Sequence, residues 1–227
     1  MELLVCGMHR SGTSAVAHML AGACGRSFLE DPDWAMTGRL IDVAGQAQEL
    51  ERWELVKCPR MTEVLAEALA ACRQARAVVL VRDPRDVLCS ILEKVRAGMP
   101  TRMLEFRRLG VEEEGARGFA QAYRLYAQIV LDVLDGPAGG RVRLLPYESF
   151  CADKLGTVAG LADWVGWPCR VAAVASRRDE QLGPWHTKAA GDQSIKGSRR
   201  WRRELSEQDR ALLTPALTAH AALLARA

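Results

Sequence analysis

Apolar positions along this chain cluster into short continuous runs, each followed by a polar turn and then by apolar residues at helical spacing. Leu3, Leu4, Val5 and Cys6 read as a buried strand that stops at Gly7. From Ser11 onward Ala15, Val16, Met19 and Leu20 keep a helical period. Residues 53–58 (WELVKC) predict a second strand, ended by Pro59, with a helix over 62–72 behind it. The run 75–81 (ARAVVLV) is the clearest strand, of the kind buried on both faces of a parallel sheet. Asp83 is the expected N-cap and Pro84 the first residue of the next helix, which carries Val87, Leu88, Ile91, Leu92 and Val95. A weakly periodic helix over 41–50, a long amphipathic one over 117–134, a strand over 141–145, and helices over 151–167 and 206–225 complete the pattern. The alternation of strand, loop and helix predicts an α/β fold: three layers, α/β/α, around a central parallel sheet. Residues 26–34 are polar and interrupted by Pro32, so they read as a loop over the mouth of a site. Residues 98–115 read as an Arg- and Glu-rich insert facing substrate. With no repeat and no linker-like stretch, residues 1–227 are expected to form a single domain.

Composition adds bounds. An apolar content of 49% and a charged content of 26% are those of a globular protein, and a net charge of +3 is too small to argue for nucleic acid. The basic residues are skewed: Lys57, Lys94, Lys154, Lys188 and Lys196 are lysines and the rest are arginines, which suit bidentate phosphate contacts. Seven cysteines without a C-x-x-C pair predict a reduced, cytoplasmic compartment and no structural zinc. The first strand starts at the N-terminus, which leaves no room for a signal peptide, and no apolar run approaches membrane-spanning length. Neither membrane nor nucleic acid is an expected partner, and a homodimer is compatible with the sequence.

Chemistry concentrates in Gly7-Met8-His9-Arg10-Ser11-Gly12-Thr13-Ser14, a strand-to-helix loop with glycines at both ends. Such a loop aims backbone N–H groups and a helix N-terminus at one point, as phosphate or sulfate binding requires. The spacing is that of the P-loop, G-x-x-x-x-G-K-[ST], with one departure: Thr13 stands where the lysine should be, and the cation has moved to Arg10. A kinase uses that lysine on the β/γ-phosphates and the next hydroxyl on Mg²⁺. A loop that keeps the N–H cradle and hydroxyls of Ser11, Thr13 and Ser14 beside Arg10 suits a sulfuryl group next to a phosphate, and needs no metal.

GMHRSGTS resembles the 5′-phosphosulfate loop of sulfotransferases that use 3′-phosphoadenosine 5′-phosphosulfate (PAPS), in its bacterial form. Further stations support the resemblance. In VVLVRDPRDVLCSI an arginine ends a strand and a serine follows eight residues later on a helix, so Arg82 and Ser90 are implied to grip the 3′-phosphate of the cofactor. The late run from Ile195 to Leu205, IKGSRRWRREL, resembles the basic segment that closes over the 3′-phosphate and adenine. It implicates Lys196, Gly197, Arg199 and Arg200, although the Gly–Trp spacing is one residue short. KCPR and LPYESF resemble lesser stations; Lys57 is implied to face the transferring group and Glu148 to be structural.

The resemblance implies transfer of a sulfuryl group from PAPS, without metal, to a hydroxyl of a small-molecule, natural-product or carbohydrate acceptor. Arg10, the loop amides and Lys57 would stabilise charge in the transition state. The general base stays open among His9, His186 and the carboxylates Glu30, Asp31, Asp33 and Asp42, with His9 and Asp33 taken into the catalytic set beside Arg10 and Lys57. His18 reads as a core histidine. Two other classes compete. A P-loop kinase of a small molecule needs the missing lysine and an acidic strand end where Arg82 stands. A non-catalytic nucleotide-binding module would bind polyanions without acceptor chemistry.

Overall fold

In a computed structural model, residues 1–36, 41–98, 109–170 and 199–227 are described. Strands β1 (Leu3–Gly7), β2 (Phe28–Glu30), β3 (Leu55–Lys57), β4 (Arg76–Val81) and β5 (Val142–Pro146) form one parallel sheet in the order β2-β3-β1-β4-β5. The connection from β1 runs toward β2 and that from β4 runs toward β5. The ends of β1 and β4 therefore flank the crevice where sheets of this type bind ligands.

Alternate residues of each strand feed two cores. Leu3, Val5, Val78 and Leu80 face helices α1 (Thr13–Cys24), α6 (Tyr147–Ala152) and α7 (Lys154–Val165). Leu4, Cys6, Ala77 and Val79 face the other layer. That layer holds α2 (Val43–Leu50), α3 (Leu65–Ala71), α4 (Pro84–Arg96), α5 (Gly115–Asp135) and α10 (Thr214–Leu224). Between them in the chain lie α8 (Trp201–Glu204) and α9 (Glu207–Leu212). Burial on both faces explains why these strands are continuously apolar rather than alternating. The expected three-layer α/β/α fold with a parallel sheet is the one observed.

Three expected elements are divided. The helix expected over 62–72 begins as a 3₁₀ turn, Pro59–Val64, and becomes α-helical only at Leu65, because Val64 leaves the helical region (φ −126°, ψ 33°). The helix expected over 151–167 breaks at Asp153, whose side chain accepts from Gly156 N–H and so starts α7 afresh. The closing helix is divided at Leu213–Thr214, where Pro215 opens α10. One expectation is overturned. Residues 26–34 are not a loop alone, since Phe28–Glu30 form the edge strand β2, paired in parallel with Leu55–Lys57. Three half-buried residues on a sheet edge are too short for hydrophobic period to register.

All seven cysteines are free thiols. Burial pushes the Cys6 and Cys58 thiols up to about 12, so both are inert core residues. No helix among the described residues is long and apolar enough to cross a membrane.

Candidate active site

The loop after β1 is shaped by its own backbone. Gly7 turns at φ 144° and Gly12 at φ 103°, and between them Arg10 adopts the left-handed region at φ 69°, uncommon for a side-chain-bearing residue. Ser11 N–H closes a turn on the Met8 carbonyl at 3.0 Å, and Gly7 N–H is held by the buried Thr62 hydroxyl at 2.9 Å. At Gly12 a Cβ would stand 2.4 Å from Cδ2 of the Tyr147 ring, so only glycine fits there. Gly12 also caps α1 and brings no side chain to its first N–H groups, which leaves that positive helix end open to an anion.

Three sequence-predicted residues converge on this loop. Arg10 Nε donates to Ser90 Oγ at 3.1 Å, and Arg82 Nη1 donates to the Arg10 carbonyl at 3.0 Å. The Arg82 guanidinium lies 4.3 Å from the centroid of the Tyr147 ring, a cation–π contact in which the tyrosine also walls the loop at Gly12. Behind it, Tyr123 donates its hydroxyl proton to the Arg82 carbonyl at 3.0 Å and so must accept from His220 Nδ1, also at 3.0 Å. Burial lowers the His220 pKa, so this imidazole is neutral and structural. Burial, then the Arg82 charge, likewise lowers the pKa of Arg10, with Arg200 adding to the effect and Glu93 opposing it. Guanidinium groups are thus gathered at one sheet edge.

Two buried polar atoms here have no partner: Ser11 Oγ, in a residue 1% exposed, and Arg82 Nε. Buried donors are left unsatisfied at a cost of about 1–3 kcal/mol each, and functional sites are where such costs are found. A cradle with uncapped amides, an unpaired hydroxyl, an unpaired guanidinium nitrogen and clustered positive charge suits an anionic group such as phosphate or sulfate.

A second cluster lies beside it at the ends of β2 and β3. Pairing places Glu30 next to Lys57 across the sheet. Lys57 Nζ donates to Asp31 Oδ2 at 2.5 Å and stands 3.3 Å from Glu30 Oε1, while being only 4% exposed. Asp31 is held at φ 44°. Glu30 also meets His18 Nε2 at 2.8 Å and accepts from the Ser14 hydroxyl. Burial pushes the Glu30 carboxyl up, but His18, Lys57 and Ser14 together outweigh it and hold the group at about 2. His18 is therefore not a core histidine. It is half-buried, edge-on to Phe28 and bonded to Glu30.

The remaining predicted residues are spread out. Asp33 is exposed on the 3₁₀ turn Asp33–Met36, beyond the carboxylates that reach Lys57. Asp42 caps α2 by accepting from Gly45 N–H at 3.0 Å. His9 is half-buried and Thr13 is buried at the start of α1. Glu148 accepts from Asp83 N–H at 3.3 Å, a structural role. Arg199 and Arg200 lie against α4, whereas Lys196, Gly197 and His186 lie outside the described residues.

Sequence reasoning missed three participants. Tyr147 sits in the LPYESF station but offers no signal that it packs on Gly12. Thr62 is one hydroxyl in a helical stretch. Asp86, 0% exposed, carries no motif of its own; its carboxylate accepts from the backbone N–H groups of Arg199 at 2.6 Å and Trp201 at 3.3 Å.

A model of the sulfotransferase family matches residues 28–170, well over half the chain, and the protein belongs to that family. It is an enzyme, a sulfotransferase. The matched span begins after the Gly7–Ser14 loop, so the loop's part in the site stands on its geometry. No curated protein matches the chain in sequence. Solved structures show the same fold. The sulfotransferase domain from the curacin biosynthetic pathway is 17% identical, with a TM-score of 0.58 over 98% of this chain and 96% of that one. A sulfotransferase from Alicyclobacillus acidocaldarius is 17% identical, with a TM-score of 0.58 over 98% of this chain and 94% of that one. Mouse sulfotransferase SULT7A1 complexed with PAP is 14% identical, with a TM-score of 0.60 over 96% of this chain and 82% of that one.

Proposed function

We propose that this sulfotransferase takes its sulfuryl group from PAPS and transfers it to a hydroxyl of a small-molecule, natural-product or carbohydrate acceptor, in one domain and without a metal. The observation that carries the reading is the convergence of half-buried Arg10 with buried Arg82 and Ser90 at a loop whose Ser11 Oγ and neighbouring Arg82 Nε have no partner. That a relative of the same fold was solved with PAP supports it. The loop amides, Arg10 and Ser11 would hold the 5′-phosphosulfate end; Arg82, Ser90 and the segment of Arg199 and Arg200 would hold the 3′-phosphate. When bound, PAPS supplies a sulfuryl group whose sulfur takes the acceptor oxygen as its bond to the 5′-phosphate oxygen breaks.

This chain's own residues then have two tasks. Arg10 and the open N-terminus of α1 neutralise the charge that grows on the leaving phosphate. The acceptor proton must go to a base, and the carboxylates beside Lys57 are better placed for this than the exposed Asp33. Of the two, Glu30 is held at about 2 by three partners and so is a weak base. Asp31, at the sheet's ligand-binding edge, is the base we favour, with Lys57 orienting it.

Thermal shift and calorimetry with 3′-phosphoadenosine 5′-phosphate (PAP) and with ADP test the donor. At ~100 times its dissociation constant PAP should add roughly 2.7 kcal/mol to stability without added metal. Equal stabilisation by ADP, which lacks the 3′-phosphate, would remove the roles given to Arg82 and Ser90.

A further inference from the structure

Helix α4 presents Asp86, Ser90 and Glu93 at successive turns of one face (i, i+4, i+7), and each grips a different part of the site. Ser90 accepts from Arg10 of the phosphate loop. Asp86, fully buried, accepts from the backbone of Arg199 and Trp201 and so seats the C-terminal basic segment on the helix. Arg85, itself clasped by Asp83, lies 3.7 Å from the centroid of the Trp201 ring and reinforces that seat. Glu93 Oε2 then meets Arg200 Nη1 at 2.9 Å.

That last contact is redundant for positioning. Arg200 is already oriented by Glu204, which takes Nε at 2.9 Å and Nη2 at 2.8 Å as a fork. Glu93 takes the remaining terminal nitrogen. The pair is also unequal in exposure: the Arg200 side chain is 12% exposed and that of Glu93 39%. Arg200 is the more enclosed partner and Glu93 the more solvent-facing one. Glu93 also acts on Arg10 electrostatically, as does Arg200, so this half-exposed carboxylate bears on two guanidinium groups.

We propose that Glu93 is a resident counter-ion: it occupies Arg200 in the free enzyme, is displaced by the 3′-phosphate of the nucleotide, and by that competition weakens nucleotide binding. The inference rests on the PAPS reading above. A dianion brings two charges and several acceptor atoms where Glu93 offers one charge, so the exchange favours a phosphate over a singly charged anion.

The test is calorimetric titration of wild type, Glu93→Gln, Arg200→Gln and the double variant with PAP and with ADP, alongside the melting temperature of each unliganded protein. Removing a competitor predicts tighter binding, the opposite of what structural damage would cause. Glu93→Gln should bind PAP about two- to fivefold more tightly, the range expected for a half-exposed ion pair, with a smaller gain for ADP through the field of Glu93 at Arg10. The excess gain for PAP over ADP should vanish in the double variant. Equal or weaker PAP binding by a folded Glu93→Gln overturns the inference, as does an equal gain for PAP and ADP, which would be a general charge effect. If Glu93→Gln is unstable, Glu93→Ala and Glu93→Asp are read in the same way, with Asp, which keeps the charge, expected to bind like wild type. Wild type failing to bind PAP overturns the donor reading and this inference together, whereas PAP binding with no effect at Glu93 overturns the inference alone.

Discussion

Two clusters share one edge of the sheet and are built on opposite electrostatic plans. At the end of β1 and β4, Arg10 and Arg82 donate to a serine hydroxyl and a backbone carbonyl rather than to carboxylates, and a guanidinium nitrogen and a hydroxyl are left over. At the end of β2 and β3, Lys57 is met by Glu30 and Asp31, and His18 and Ser14 complete the network. The first cluster has positive charge in excess and suits an anion that arrives from outside. The second is nearly balanced and suits proton transfer, where a carboxylate must change protonation without leaving a buried charge alone. Both rest on strand ends that parallel pairing brings side by side. The difference teaches that one fold edge can hold a binding half and a proton-handling half by changing which charges are paired.

The comparison breaks most sharply at Arg10. Arg10→Ala should lower kcat by ~10²–10³, as removal of one transition-state donor does, while the melting temperature stays near wild type. Arg10→Lys should recover part of the rate, since charge is kept and the fork is lost. Turnover with a surrogate acceptor, beside PAP affinity, reads this out. Near-wild-type turnover in a stable Arg10→Ala protein would move the task to Lys57.

A smaller effect is expected at Arg82. Losing a charge-assisted contact should weaken PAP by about 1.5–3 kcal/mol. Because Arg82 also braces the loop through the Arg10 carbonyl, ADP should lose part of that affinity too, by a smaller factor. Equal losses for both ligands would make Arg82 a strut and nothing more.

The smallest effect tests the balanced cluster. The Glu30 carboxyl is held at about 2, below the ordinary carboxylate value near 4.3. A depressed pKa contributes stability that is fully present above the unfolded value and is lost as pH falls toward the folded one. Glu30→Gln should thus cost about 1–2 kcal/mol at pH 7, given charged hydrogen bonds partly exposed to solvent, and the deficit should shrink between about pH 4.5 and pH 2. Denaturant melts across that range decide it; a deficit that does not change with pH would mean Glu30 acts through shape alone.

The sequence by itself determined the parts whose signal is local. The GMHRSGTS loop, the strands around Leu4 and Val79, and the Asp83–Pro84 start of α4 each sit within a few consecutive residues, where glycine, proline and apolar runs constrain the backbone directly. The place of Arg82 just past a strand and of Ser90 two turns into the next helix was legible for the same reason. Tertiary structure alone decided the rest. Whether residues 28–30 form a strand depends on β3 being there to receive them, and only that pairing carries Glu30 and Asp31 to Lys57. Asp86 could bond the backbone of Arg199 only once a contact 113 residues distant in sequence had closed. Tyr147 could wall Gly12 only because β5 packs beside β4. Such contacts depend on sheet order and on burial, which no short window of sequence contains, and they are the ones that assemble the candidate site around the Gly7–Ser14 loop.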